Sequence, residues 1–222
     1  MDQLNKEFID ACLLNDVSKV YSLVRQGADV NYNAGDGRTA LMKTAKRNFI
    51  EIVKFLIDNG ADVRARDKDN KTALMGAAKK GNLEVCKLLV EAGAQVDAHD
   101  NNMRTALHRA AFLGQDHVVE YLVEKGADIN KKDAKGRTAL MEAVLAFKVN
   151  VIHYLIGKGA DINAQDNNGC TCLMRACYGG YVDLVIYLLN KGADKTIKDI
   201  EGNTALNWVR QECLSELEEY FK

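Results

Sequence analysis

The stretch that decides the fold is Thr39–Val63, TALMKTAKRNFIEIVKFLIDNGADV. Thr39 stands before a helical run, and its hydroxyl is placed to accept from a free amide of the first turn. Leu41 and Ala45, four apart, share one face of that helix. A second helix is expected over Ile50–Asp58, where Ile52, Val53, Phe55, Leu56 and Ile57 leave only a narrow polar edge. Such a helix must be covered on several sides. Gly60 then occupies a place where a left-handed C-terminal cap is wanted, and Ala61, Asp62 and Val63 lead into a turn.

Outward from this stretch the same unit recurs. Thr39, Thr72, Thr105, Thr138, Thr171 and Thr204 follow one another at intervals of 33 residues. Leu41, Leu74, Leu107, Leu140, Leu173 and Leu206 keep the step, as do Gly27, Gly60, Gly93, Gly126, Gly159 and Gly192. Three residue types locked to one period indicate a solenoid. The small pairs Ala77-Ala78 and Ala110-Ala111, with Thr44-Ala45 at the same place, allow a second helix to approach closely. A lone unit cannot cover its own apolar helices, so neighbours must stack. The chain contains no proline, which leaves glycine to punctuate it. One all-α architecture without a linker is expected.

Composition bounds the function. Hydrophobic residues make up 47% and charged residues 27%, which places the chain among folded globular proteins. A formal net charge of −1 argues against blanketing a nucleic-acid backbone with positive charge. Six cysteines without an export signal fit a reducing compartment. The stretch Met1–Glu7 carries acid where a signal peptide would carry base, and no apolar run approaches the roughly 18 residues of a membrane span. A cytoplasmic protein is the expectation.

The units resemble ankyrin repeats. Asp100–His108 reads DNNMRTALH, close to that family's D-x-x-G-x-T-P-L-H, and Gly126–Asn130 matches its G-A-D-x-N. The resemblance covers nearly the whole chain and implies an ankyrin-repeat solenoid of about seven helix-turn-helix units joined by β-turn or hairpin loops. A single domain, 1–222, would hold an N-terminal capping repeat (1–33), internal repeats 34–66, 67–99, 100–132, 133–165 and 166–198, and a C-terminal capping repeat (199–222). At the family's proline the chain has Ala40, Ala73, Ala106, Ala139, Cys172 and Ala205, and its histidine survives only as His108. The turn glycine is kept at Gly37, Gly136, Gly169 and Gly202 but replaced by Asn70 and Met103, so those two turns are expected to bend differently.

The resemblance also implies where a partner binds: the turn tips and the exposed face of each first helix, on a concave surface. On this sequence those positions give Arg38, Lys43, Lys46, Arg47, Lys71, Lys79, Lys80, Arg104 and Arg109 in the first three internal repeats. They are nine basic residues with no acid; the acids Glu51, Glu84 and Glu120 fall on the second helices. From Phe112 the strip becomes apolar and aromatic through Leu113, Leu145, Tyr178 and Trp208, with Arg175 among them. A protein partner with an acidic segment and an apolar or aromatic anchor would suit it. Solvated charge, and packing of Leu113, Leu145 or Trp208 on neighbouring repeats, are the plain alternatives.

Other chemistry finds no support. Cys170, Cys172 and Cys177 lie together, but the latter two occupy packing positions of the repeat. His99, His108, His117 and His153 are scattered, and no glycine loop of the phosphate-binding kind appears. No enzyme, cofactor or metal is therefore expected. Asn31, Asn130 and Asn163 sit in strings resembling those modified by asparagine hydroxylases, or they tie the inter-repeat turns by hydrogen bonds. The leading function is a monomeric, non-catalytic adaptor, scaffold or inhibitor. The alternative is a binder of nucleic acid or another anionic ligand through the basic half.

Overall fold

The computed structural model describes residues 2–33 and 35–222; Met1, of the acidic N-terminal stretch, and Ala34, first residue of the expected repeat 34–66, lie outside them. The first helix pair is α1 (Asp2–Leu13) and α2 (Val17–Arg25), and the second is α3 (Ala40–Arg47) and α4 (Ile50–Asp58). There follow α5 (Ala73–Lys80) with α6 (Leu83–Glu91), α7 (Ala106–Leu113) with α8 (Asp116–Glu124), and α9 (Ala139–Leu145) with α10 (Val149–Gly157). The pair α11 (Cys172–Gly179) and α12 (Val182–Asn190) completes the regular series. The last unit departs from it, with 3-10 turns at Ala205–Trp208 and Gln211–Cys213 before α13 (Leu214–Phe221). Among the described residues the only strand-like pairing is an isolated antiparallel bridge between Asn33 and Thr39.

Each first helix begins as its threonine dictates. The hydroxyls of Thr39, Thr72, Thr105, Thr138 and Thr171 accept from the backbone N–H three residues on, at 3.3 to 3.4 Å. This satisfies an amide that has no partner inside the helix. His108 adds a second bond: its Nδ1 accepts from the Thr105 N–H at 3.3 Å, leaving the proton on Nε2, which donates to the Arg137 carbonyl at 3.0 Å.

The turns between units are uniform. Asn70 and Met103 adopt φ of 60°, beside 74° at Gly37, Gly136 and Gly169 and 85° at Gly202. The expectation that those two turns bend differently is therefore corrected. The reason is the aspartate three residues earlier: its carbonyl accepts from Asn70 or Met103 just as Asp133, Asp166 and Asp199 accept from Gly136, Gly169 and Gly202, at 2.8 to 3.0 Å. That closure fixes the turn whatever the side chain, and Met103 holds a left-handed conformation at a steric cost.

Stacking follows from small residues. Ala77, Ala78, Ala110 and Ala111 are completely buried, and the first helices α3, α5, α7, α9 and α11 pack more closely on one another than the second helices do. The stack is thus shorter along its first-helix side, which is the inner side. Successive turn tips are joined by backbone bonds, including Asn101 N–H to Asp69 O at 3.0 Å and Ala134 N–H to Asn102 O at 2.9 Å. On the far side Asn31 Oδ1 accepts from Asp62 N–H at 2.8 Å while its Nδ2 donates to Gly60 O at 3.1 Å, and Asn163 repeats both contacts with Asp194 and Gly192. Asn130 accepts from Asp161 N–H in the same way. No helix of the described residues is long and apolar enough to cross a membrane.

Two outcomes are expected. Met103→Gly should raise stability by up to about 1 kcal/mol, because removing Cβ relieves the left-handed conformation more than it frees the unfolded chain; a denaturant titration measures it. Burial pushes the His108 pKa below its ordinary 6.5. The unfolded chain therefore takes up this proton first, so the His108 contribution is complete above that pH and lost as pH falls below it. The decline in Tm from about pH 7 to about pH 5 should be shallower in His108→Met, which carries the side chain of Met42, Met75, Met141 and Met174.

Candidate partner-binding face

The inner face is organised by the turn aspartates. Asp67, Asp100, Asp133, Asp166 and Asp199 are all buried. One oxygen of each accepts the backbone N–H groups two and four residues on, as in Asp100 with Asn102 and Arg104, both at 2.9 Å. The same pair of bonds recurs at Asp67, Asp133, Asp166 and Asp199. A buried carboxylate needs further donors for its second oxygen. Those donors come from the first helix, nine residues downstream.

Arg109 binds Asp100, Arg175 binds Asp166, and Trp208 Nε1 donates to Asp199 at 2.9 Å. Arg109 and Arg175, read from the sequence as offered to a partner, keep only 14% and 16% of their side chains exposed. Their guanidinium groups close their own repeats. Trp208 is likewise partly buried on the core, its ring edge against Tyr178 with centroids 5.7 Å apart, and it lies on a 3-10 turn instead of an α-helix. Of the two rings Tyr178 is the exposed one, at 63%, with Arg210 donating to its carbonyl at 2.7 Å. At Asp199 burial opposes ionisation, but the Asn203 amide, the Trp208 indole and the Glu201 amide prevail and hold the carboxyl below its usual value.

Two repeats break this pattern, in opposite ways. In α9 the corresponding residue is Glu142, an acid buried to 3% side-chain exposure, which joins Arg104 of the preceding turn and Arg137 of its own turn, the latter at 3.5 Å. In α5 it is Gly76, and Asp67 is met instead by Arg38 from the turn before, at 3.3 Å. With no side chain at Gly76 a cavity of about 350 Å³ opens between α3 and α5. Lys43, Lys46 and Lys79 line it together with the apolar Leu13, Met42 and Met75.

The remaining expected residues divide into two sets. Lys71 pairs with Asp69 at 2.6 Å, whereas Lys43, Lys46, Arg47, Lys79 and Lys80 pair with no acidic side chain among the described residues. Lys79 is held below the usual lysine range by partial burial and by repulsion from Arg109, Lys46, Lys80 and Lys71. Farther along, Phe112, Leu113, Leu145 and Tyr178 are exposed, with the Arg104 guanidinium 5.8 Å from the Phe112 ring centroid. Leu113 and Leu145 thus do not pack away on their neighbours. The sequence reading missed Leu13, Met42 and Met75 as cavity walls; the available signal was a glycine inside a helix where other units carry a long side chain.

The cysteines are packing residues. All six are free and buried, and burial pushes the thiols of Cys12, Cys86, Cys172 and Cys177 up to about 12. No cluster of potential metal ligands occurs among the described residues. Because Glu142 neutralises two guanidinium groups within the stack, Glu142→Ala should destabilise the protein by about 3 kcal/mol. Arg137→Ala should cost less, since Arg104 keeps its partner. Paired urea titrations test the ranking.

Comparison with known proteins agrees with this geometry. A family model described as ankyrin repeats in three copies matches residues 8–100, 48–133, 93–166 and 132–199. No curated protein matches the chain in sequence. Among solved structures, the ankyrin repeat domain of Bcl-3, a member of the IκB protein family, superposes with a TM-score of 0.85 at 26% identity, covering 96% of this chain and 97% of that one. The ankyrin repeat domain of human ASB11 superposes with a TM-score of 0.84 at 21% identity, covering 96% and 95%. With its repeats matched from residue 8 to residue 199, the chain belongs to the ankyrin repeat family.

Proposed function

We propose that this protein is a non-catalytic interaction module, an adaptor, scaffold or inhibitor, that grips a protein partner on the inner face of its stack. One observation carries the reading: on a single row of helices, a group of unpaired cations on α3 and α5 gives way to exposed Phe112, Leu113, Leu145 and Tyr178 on α7, α9 and α11. The cations speed and orient the encounter with an acidic segment, and the apolar residues supply the anchoring contacts. Ankyrin repeat domains generally bind proteins, which supports this use of the face. The protein acts as a monomer, in the cytoplasm. In this reading Tyr178, 63% exposed, is the aromatic anchor, and the bonds of Arg109, Arg175 and Trp208 to the turn aspartates favour a role for them as clasps.

A second reading, binding of nucleic acid through the basic half, draws on the same cations. Salt separates the two, because phosphate-backbone binding weakens steeply as salt rises. The test is capture from source-cell lysate by the wild type and by two folded variants, Lys46→Glu with Lys79→Glu, and Tyr178→Ala. A protein held by the wild type and lost from both variants is the expected result. Equal capture by all three would remove the partner from this face, and capture of nucleic acid alone would establish the second reading.

A further inference from the structure

We infer that the cavity at Gly76 is a socket for one phosphorylated side chain of the protein partner. The inference rests on the inner-face reading above and specifies the chemistry of its acidic segment. Three observations point to a phosphate ester.

The first is how this protein treats its own carboxylates. Asp100 and Asp166 are each satisfied by two backbone amides and one arginine. Each of these two carboxylates is matched by one cation, and the most that any buried carboxylate gathers is the two arginines at Glu142. Lys43, Lys46 and Lys79 line the cavity at Gly76 without any acid of the described residues to neutralise them, and the one acid of the lining, Asp67, is already taken by Arg38. Three spare ammonium groups exceed what a single carboxylate calls for and suit a phosphate carrying about −1.5 to −2 charges with three acceptor oxygens.

The second is size and lining. About 350 Å³ lies at the low end of the range occupied by small-ligand sites. It accommodates one side chain with its adjoining backbone. Met42, Met75 and Leu13 offer apolar contact to the methylene or methyl groups that carry the ester.

The third is how the cavity arises. Arg109, Arg175 and Trp208 fill the equivalent space in their own repeats by reaching the turn aspartate, whereas Gly76 leaves it open beside Asp67. Gly76 is helical, and a Cβ there would meet Lys46 Cβ at 3.5 Å and Met42 O at 3.9 Å, ordinary van der Waals distances. Nothing in the local backbone requires glycine. Lys79 is lowered first by burial and then by repulsion from Arg109, Lys46, Lys80 and Lys71, and a bound dianion would relieve that repulsion.

This makes Gly76→Arg a discriminating variant. It adds a positive charge but closes the socket by supplying the side chain that Arg109 and Arg175 use. The full chain would be titrated, by amide NMR shifts, with N-acetyl-phosphoserine amide, N-acetyl-glutamate amide and adenosine monophosphate, using the wild type, Gly76→Arg and Lys79→Gln.

Saturable shifts at Gly76 and Lys79 with the phosphoserine probe are expected, with the glutamate probe weaker by at least about tenfold. Gly76→Arg should lose at least about tenfold in phosphoserine affinity despite its extra charge, and the surface substitution Lys79→Gln, which leaves the core untouched, should lose several-fold. Undiminished binding by Gly76→Arg would show diffuse charge attraction and overturn the socket. So would equal affinity for glutamate, or adenosine monophosphate binding as tightly as phosphoserine. Failure here with Tyr178-dependent partner capture intact would remove the socket alone; phosphoserine binding without capture would leave the socket and remove the anchor.

Discussion

Everything in this protein depends on the inability of a single helix pair to bury itself. Helices such as α4, α10 and α12 are apolar on most sides, and eight or nine residues offer too little helix to be stable alone in water. Stability comes from sealing each pair between its neighbours. The fully buried alanines of α5 and α7 let the first helices approach more closely than the second helices, and curvature is the geometric consequence. An inner face therefore exists because the small residues lie on one helix of each pair.

The buried turn aspartates govern what that inner face can present. Each fixes its turn by accepting two backbone amides, and each then needs a donor for its second oxygen. The first helix meets this need from a position that would otherwise face a partner. Where that position is Arg109, Arg175 or Trp208, the side chain is spent on the fold. Where it is Glu142, the local charge is inverted and two arginines are drawn inward. Where it is Gly76, Arg38 takes over from the preceding turn, and the lysines around the vacancy remain uncompensated. Structural demand and binding capacity thus compete for one row of residues, and each repeat resolves the competition differently.

The period of 33 residues, the threonine caps and the second helix at Ile50–Asp58 were readable because each depends on residues close in sequence, through capping bonds and helical spacing. The left-handed turn at Met103 was not, since a bulky residue there opposes local preference and yields only to the closure imposed by Asp100. The face itself was half legible. Exposure of Phe112, Leu113, Leu145 and Tyr178 follows from their place in the repeat, but the sequestration of Arg109, Arg175 and Trp208 depends on an acceptor buried one turn away.

By itself, then, the sequence determined the architecture and the row of residues from which a binding face would be drawn, because periodic burial and capping are local rules repeated along the chain. Only the tertiary structure decided which of those residues are free. A charged side chain is available to a partner only if nothing inside the protein has already claimed it, and that claim is settled by distances between adjacent turns and helices. The cavity at Gly76 has the same origin: it is a space left where one repeat lacks the side chain its neighbours use, and the lysines on α3 and α5 surround it only once the two helices are stacked.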